Sequence, residues 1–116
     1  MRKIMTSLLA LMLLAFASCD AQIKNAKTET FKVYGNCGMC KKTIEKAVGK
    51  SNQAKGVWDK DTKMLTLTYN SKKTTPDVVL KRIADAGYDN QKYEATMAVY
   101  NKLPECCQYE RKLTAK

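Results

Sequence analysis

Apolar and polar positions begin to alternate at Thr28. Phe31, Val33 and Gly35 fall on one side, Thr30, Lys32 and Tyr34 on the other. A period of two is that of a strand, so a first strand is expected here. From Cys40 the period changes. Cys40, Ile44, Ala47 and Val48 recur at helical spacing, Lys41, Lys42, Glu45, Lys46 and Lys50 take the solvent side, and Gly49 supplies a stop. Residues 54 to 58 and 64 to 69 read as a hairpin around Asp59-Lys60-Asp61-Thr62, with Leu65, Leu67 and Tyr69 inward and Thr66 and Thr68 outward. Thr75-Pro76 has the form of an N-cap and first helical residue. Val79, Leu80, Ile83 and Ala84 then supply a buried stripe that Gly87 ends. Tyr93 to Tyr100 reads as the last strand.

Strands and helices in the order β-α-β-β-α-β predict an α+β, ferredoxin-like sandwich: a four-stranded antiparallel sheet with both helices on one face. Three segments follow. Residues 1–21 form an export signal, 28–100 the domain, and 101–116 a tail carrying Cys106 and Cys107. In the first segment Arg2 and Lys3 precede an apolar run from Ile4 to Ala17, too short for a membrane span. Phe16-Ala17-Ser18-Cys19 has the shape of a lipobox, which makes Cys19 a lipidation candidate. Cys19-x-Ala21 equally suits a small-x-small cleavage that releases a chain beginning at Gln22. Export to the periplasm or to a lipid anchor at the bacterial envelope is the expectation, with Cys19 as the sole membrane attachment.

Charge and chemistry narrow the function. The chain carries +10, and +9 without Arg2, Lys3 and Asp20. Its lysines are scattered rather than clustered, and export argues against nucleic acid as a partner. Histidine is absent, so imidazole acid/base chemistry and histidine metal ligation are excluded. No nucleophile–base constellation, phosphate loop or paired carboxylates occur, so the expected function is non-enzymatic.

What remains is sulfur. Cys37 and Cys40 stand where the first strand gives way to the first helix, at the positive end of a helix dipole that favours thiolate. Such a pair suits a soft metal or a redox couple, and an exported chain also admits structural disulfides. Two thiolates satisfy a low-coordinate d10 ion such as Cu(I), with Hg(II) an alternative; Zn(II) needs four ligands and so needs Cys106 and Cys107 as well. Thr75-Pro76 imitates the element that thioredoxin-like enzymes set beside their cysteines, but the helical spacing after Pro76 departs from it.

With Cys37-Gly38-Met39-Cys40 after the first strand, Ile44-Glu45-Lys46-Ala47 in the helix and Asp85-Ala86-Gly87-Tyr88 closing the second, the chain resembles the heavy-metal-associated domain family over residues 28–100. That family includes small copper chaperones and periplasmic mercury-binding proteins. The resemblance implies a ferredoxin-like fold, one soft ion held by Cys37 and Cys40, and transfer by ligand exchange to a metal-transporting or metal-accepting partner. Lys41, Lys42 and Lys46 flank the site and suit an acidic docking face on that partner. Tyr88 is expected at the same end of the sheet as the cysteine loop, as a shield or as a core aromatic. The family's usual G-M-x-C-x-x-C appears here as Tyr34-Gly35-Asn36-Cys37-Gly38-Met39-Cys40, with Gly35 at the place of the loop-anchoring methionine. Trp58, Met64 and Met97 lie on strand patterns and read as packing.

The tail is expected to begin at the far end of the sheet. Cys106 lies six residues beyond Tyr100, a reach of about 20 Å. Its two thiols admit three roles: extra ligands for the Cys37/Cys40 ion, a second thiol site, or a disulfide pinning the tail. Vicinal cysteines pair poorly with each other, which favours a second thiol site.

Overall fold

The computed structural model describes residues 23–111; the expected export signal and Cys19 lie outside them. Strand β1 (Ala26–Lys32) is followed by helix α1 (Gly38–Val48), β2 (Ala54–Trp58), β3 (Met64–Asn70), α2 (Pro76–Asp85) and a single helical turn, α3 (Met97–Tyr100). The sheet order is β1-β3-β2, antiparallel throughout, with Thr66 of β3 facing Thr30 on one side and Val57 on the other. The β2–β3 turn is tied by the Asp59 carboxylate, which accepts the Asp61 and Thr62 amides at 2.8 and 3.1 Å. Thr75 caps α2 by accepting the Val78 amide, and Pro76 occupies its first turn.

One core joins sheet and helices. Leu65, Leu67 and Tyr69 of β3 share it with Ile44 and Val48 of α1 and with Val79, Leu80 and Ile83 of α2. Each buried aliphatic side chain contributes roughly 1.5–3 kcal/mol. The two patterned helices thus cover a sheet whose polar positions, Thr66 among them, face out.

The expected fourth strand is corrected by the structure: among the described residues the sheet has three strands. Residues 93–100 alternate in sequence, but local side chains capture their amides first. Asn90 accepts Lys92 N–H and Tyr93 N–H, Asp89 accepts Ala95 N–H at 2.7 Å, and Thr96 accepts Val99 N–H as the cap of α3. The outer edge of the first strand is met by the isolated bridge Val33–Asn90, with Tyr34 N–H donating to Asp89 O at 2.9 Å, and by Gln91, whose N–H donates to Lys32 O at 3.1 Å and whose side-chain oxygen accepts Lys32 N–H. Met97 accordingly opens α3 as an exposed side chain instead of lying in a strand.

The same capture redirects the tail, correcting its expected start at the far end of the sheet. Helix α3 turns the chain back, and Leu103 lies over Gly87, where a β-carbon would come within 2.8 Å of it. Gly87 also sits at φ +111°, so its lack of a side chain serves both the turn and the tail. A 3-10 turn, Glu105–Cys107, then brings the tail cysteines to the start of α1.

Candidate metal centre

Strand β1 delivers the chain into an extended loop, Tyr34 to Asn36, and Cys37 is the N-cap of α1 in extended conformation. The cysteine spacing then places both sulfurs on the first turn, 3.6 Å apart. Cys40 is fully buried and accepts the Asn36 amide at 3.4 Å; Cys37 is half-buried. The backbone amide of Cys40, aided by its thiol and by the Met39 amide, lowers the Cys37 pKa from 9.0 to about 7.

The position of the missing methionine is filled from the sheet. A β-carbon on Gly35 would meet the Trp58 ring at 3.0 Å and the Cys40 β-carbon at 3.2 Å. Trp58 is buried, and its Nε1–H donates to Val33 O at 2.8 Å. The indole therefore supports the loop from below, and glycine leaves it room.

The tail supplies a third sulfur. Cys107 is 1% exposed, and its Sγ lies 4.0 Å from that of Cys37. The sulfurs of Cys37, Cys40 and Cys107 all fall within 4.8 Å of one another. Burial pushes the Cys107 thiol up to about 12, the Cys40 sulfur adding to the rise. Cys106 is exposed; its thiol approaches Met39 Sδ at 3.7 Å, and its carbonyl faces the Cys37 thiol at 3.6 Å. The Cys37 side chain and burial hold its pKa above the ordinary value. Tyr88, in the loop after α2, is fully buried beside this cluster. Among the described residues its hydroxyl has no hydrogen-bond partner, and burial with the neighbouring Cys107 and Cys40 holds its ionisation far up.

The cluster is pinned by residues that carried no sequence signal. Tyr109, buried and stacked on Tyr88 at 6.0 Å, accepts the Asp89 amide at 2.7 Å and donates to Gly87 O at 2.9 Å. Arg111 grips the Asp89 carboxylate with two nitrogens, each at 2.8 Å, and donates to Ala95 O. Only 8% of the Arg111 side chain and 7% of the Asp89 side chain are exposed. A second polar tie holds the floor of the site: Lys41 pairs with Glu45 and donates to Trp58 O, while 41% of its side chain stays exposed.

Two structures are among the solved ones that share this architecture. One is the solution structure of a candidate copper-ion-binding protein from Bacillus anthracis str. Ames, 28% identical, with 57% of this chain and 96% of that one superposed at a TM-score of 0.54. The other is CopZ metallochaperone, 24% identical, with 55% and 98% superposed at a TM-score of 0.53. No protein-family profile matches the chain, nor does any curated protein. The chain resembles the heavy-metal-associated domain proteins.

Of the residues singled out in the sequence, Cys37, Cys40, Cys107 and Tyr88 meet, and Cys106 stays on the exposed rim of the same cluster. Trp58 packs as expected, though its part in replacing the methionine emerges only from the fold. Thr75-Pro76 opens a helix distant in role from the thiols, unlike the thioredoxin element it imitates.

Proposed function

We propose that the protein binds one soft d10 ion, Cu(I) before Hg(II) or Zn(II), through the thiolates of Cys37 and Cys40, and passes it by ligand exchange to a thiol-bearing partner. The observation that carries this reading is a pair of sulfurs 3.6 Å apart at a helix start, one buried and one open to solvent. It sits in a fold shared with a candidate copper-ion-binding protein and a metallochaperone. Soft thiolates select such ions, and the half-buried Cys37 gives an incoming thiol a place to attack. Each metal–sulfur bond replaces an S–H bond and releases a proton; the metal keeps its oxidation state. The function is non-enzymatic. It operates after export, with the mature chain beginning at a lipidated Cys19 or at Gln22.

Anaerobic titration of the reduced mature protein, followed by native mass spectrometry, tests this. One Cu(I) per chain is expected, retained against Zn(II), and lost in the Cys37→Ser/Cys40→Ser double variant. Undiminished binding by that variant overturns the assignment. The mass of the unloaded mature protein reports the processing route, and a chain still carrying residues 1–18 rules out both.

The competing use of the pair is thiol–disulfide exchange. Catalytic insulin reduction at the rate of an oxidoreductase would reverse the choice; negligible turnover is expected.

A further inference from the structure

We propose that the site is a three-thiolate centre, with Cys107 of the tail as its third ligand and the Tyr88 hydroxyl as hydrogen-bond donor to the Cys107 thiolate. This deepens the metal-binding reading and rests on it.

The distances select the coordination number. Soft metal–thiolate bonds are about 2.3 Å, so a linear two-sulfur site needs sulfurs about 4.6 Å apart and a trigonal one about 4.0 Å. Cys37 and Cys40 stand at 3.6 Å and Cys37 and Cys107 at 4.0 Å, with all three sulfurs inside 4.8 Å. The C-x-x-C pair as it stands is closer than a linear ion needs, whereas the triangle has the size of a trigonal one.

Cys107 is placed there by construction. The Tyr109 hydroxyl joins two buried backbone groups, Asp89 N–H and Gly87 O, and Tyr100 donates to Tyr109 O at 2.5 Å. The forked Arg111–Asp89 pair closes the end of the tail. Cys106 is excluded from the triangle and turned to Met39 at the surface. The Cys106 sulfur lies 3.9 Å from that of Cys107 but on the exposed side, so the buried member of the vicinal pair completes the triangle.

The Tyr88 hydroxyl supplies the second, independent observation. A fully buried hydroxyl without a partner among the described residues carries a desolvation cost that native structures rarely leave uncompensated. Thiols are poor acceptors and thiolates good ones. Loading the site converts Cys107 from thiol to thiolate and gives the hydroxyl its acceptor. One Cu(I) with three thiolates carries a net charge of −2, which this donor and the first-turn amides of α1 offset. Each sulfur still protonated gives its proton to solvent on loading, and no electron is transferred. The tail and Tyr88 make the buried back of the centre, and Cys37 its open front.

X-ray absorption of the anaerobic Cu(I)-loaded protein counts the sulfur ligands directly. Three are expected in the parent and in Cys106→Ser, and two in Cys107→Ala. A parent count of two with Cu(I) bound overturns this inference and leaves the proposed function standing; failure to bind Cu(I) overturns both. A count that falls in Cys106→Ser and not in Cys107→Ala overturns the choice of tail cysteine. Tyr88→Phe separates ligation support from packing. The unloaded variant should be at least as stable as the parent, since an unpaired hydroxyl is removed. Its Cu(I) affinity should fall about tenfold, measured against a competing chelator. Loss of unloaded stability with unchanged affinity overturns the donor role.

Discussion

Cys37 and Cys107 hold their sulfurs 4.0 Å apart, yet everything that places and tunes them differs. Cys37 is set by its immediate neighbours: a strand end, an extended residue and the first turn of α1, whose amides draw its pKa down to about 7. Cys107 is set by groups distant in the chain, and burial pushes its thiol up to about 12. One end of the cluster is ready to ionise and open to solvent; the other is sealed and resists ionisation until something compensates it. In the proposed role of holding and releasing an ion, that asymmetry lets exchange begin at the open thiolate while the closed one still grips.

The comparison is broken most directly at Arg111. Its guanidinium and the Asp89 carboxylate are almost wholly buried together, and removing one partner leaves the other charged and desolvated. Arg111→Ala should cost about 3 kcal/mol, the low end for a broken buried pair, since Ala95 N–H still serves Asp89. Urea unfolding of the unloaded protein measures it. The same variant should loosen the tail, so that Cys107 alkylates at a rate approaching that of Cys106 while Cys37 is unaffected. An unchanged unfolding midpoint would mean that Arg111 does not hold the tail.

This contrast also marks what the sequence discloses. Helix α1, the Asp59 turn, the Thr75-Pro76 cap and the thiol pair are written within a few residues of one another, where periodicity and capping chemistry act directly. Residues 93–100 alternate just as convincingly, yet the carboxylate of Asp89 and the amide of Asn90 take the amides a strand would have used. A period-two count cannot weigh that competition. The tail is harder still. Nothing local in Cys107-Gln108-Tyr109-Glu110-Arg111 announces that Tyr109 will join Asp89 to Gly87 or that Arg111 will find Asp89, about twenty positions away. Without the fourth strand the tail returns to the thiol loop, so the missed strand and the misplaced start of the tail have one cause.

Gly35 sharpens the local half of the comparison. A methyl group there would meet the Trp58 ring at 3.0 Å and Cys40 at 3.2 Å. Since Trp58 is fixed by its bond to Val33 O, the ring has little freedom to withdraw. Gly35→Ala should cost about 1–2 kcal/mol as an overpacked contact. In a Trp58→Phe background, which removes the outer ring, the extra cost of Gly35→Ala should largely vanish, and this double-mutant cycle isolates the contact. Equal costs in both backgrounds would show that the indole is not what keeps position 35 small.

The smallest effect lies in the thiols themselves, and its sign follows from the pKa directions. Alkylating reagents attack thiolate, so reactivity rises as pH passes the thiol pKa. For Cys37 in the unloaded protein the rise should centre near pH 7, and the thiol should be nearly silent below pH 5. At pH 7 about half of Cys37 is thiolate against about 1% of an ordinary thiol, but nucleophilicity falls as pKa falls, so the net advantage shrinks to about sixfold. Cys107, protected by burial and by a pKa near 12, should stay unlabelled across the same range. Mass spectrometry of iodoacetamide-treated peptides, sampled from pH 5 to pH 9, resolves the two. A Cys37 midpoint near 9 would show that the helix start does not lower its pKa. Labelling of Cys107 in step with Cys37 would show instead that the tail opens faster than the reagent reacts, and the two ends of the cluster would then no longer differ in access.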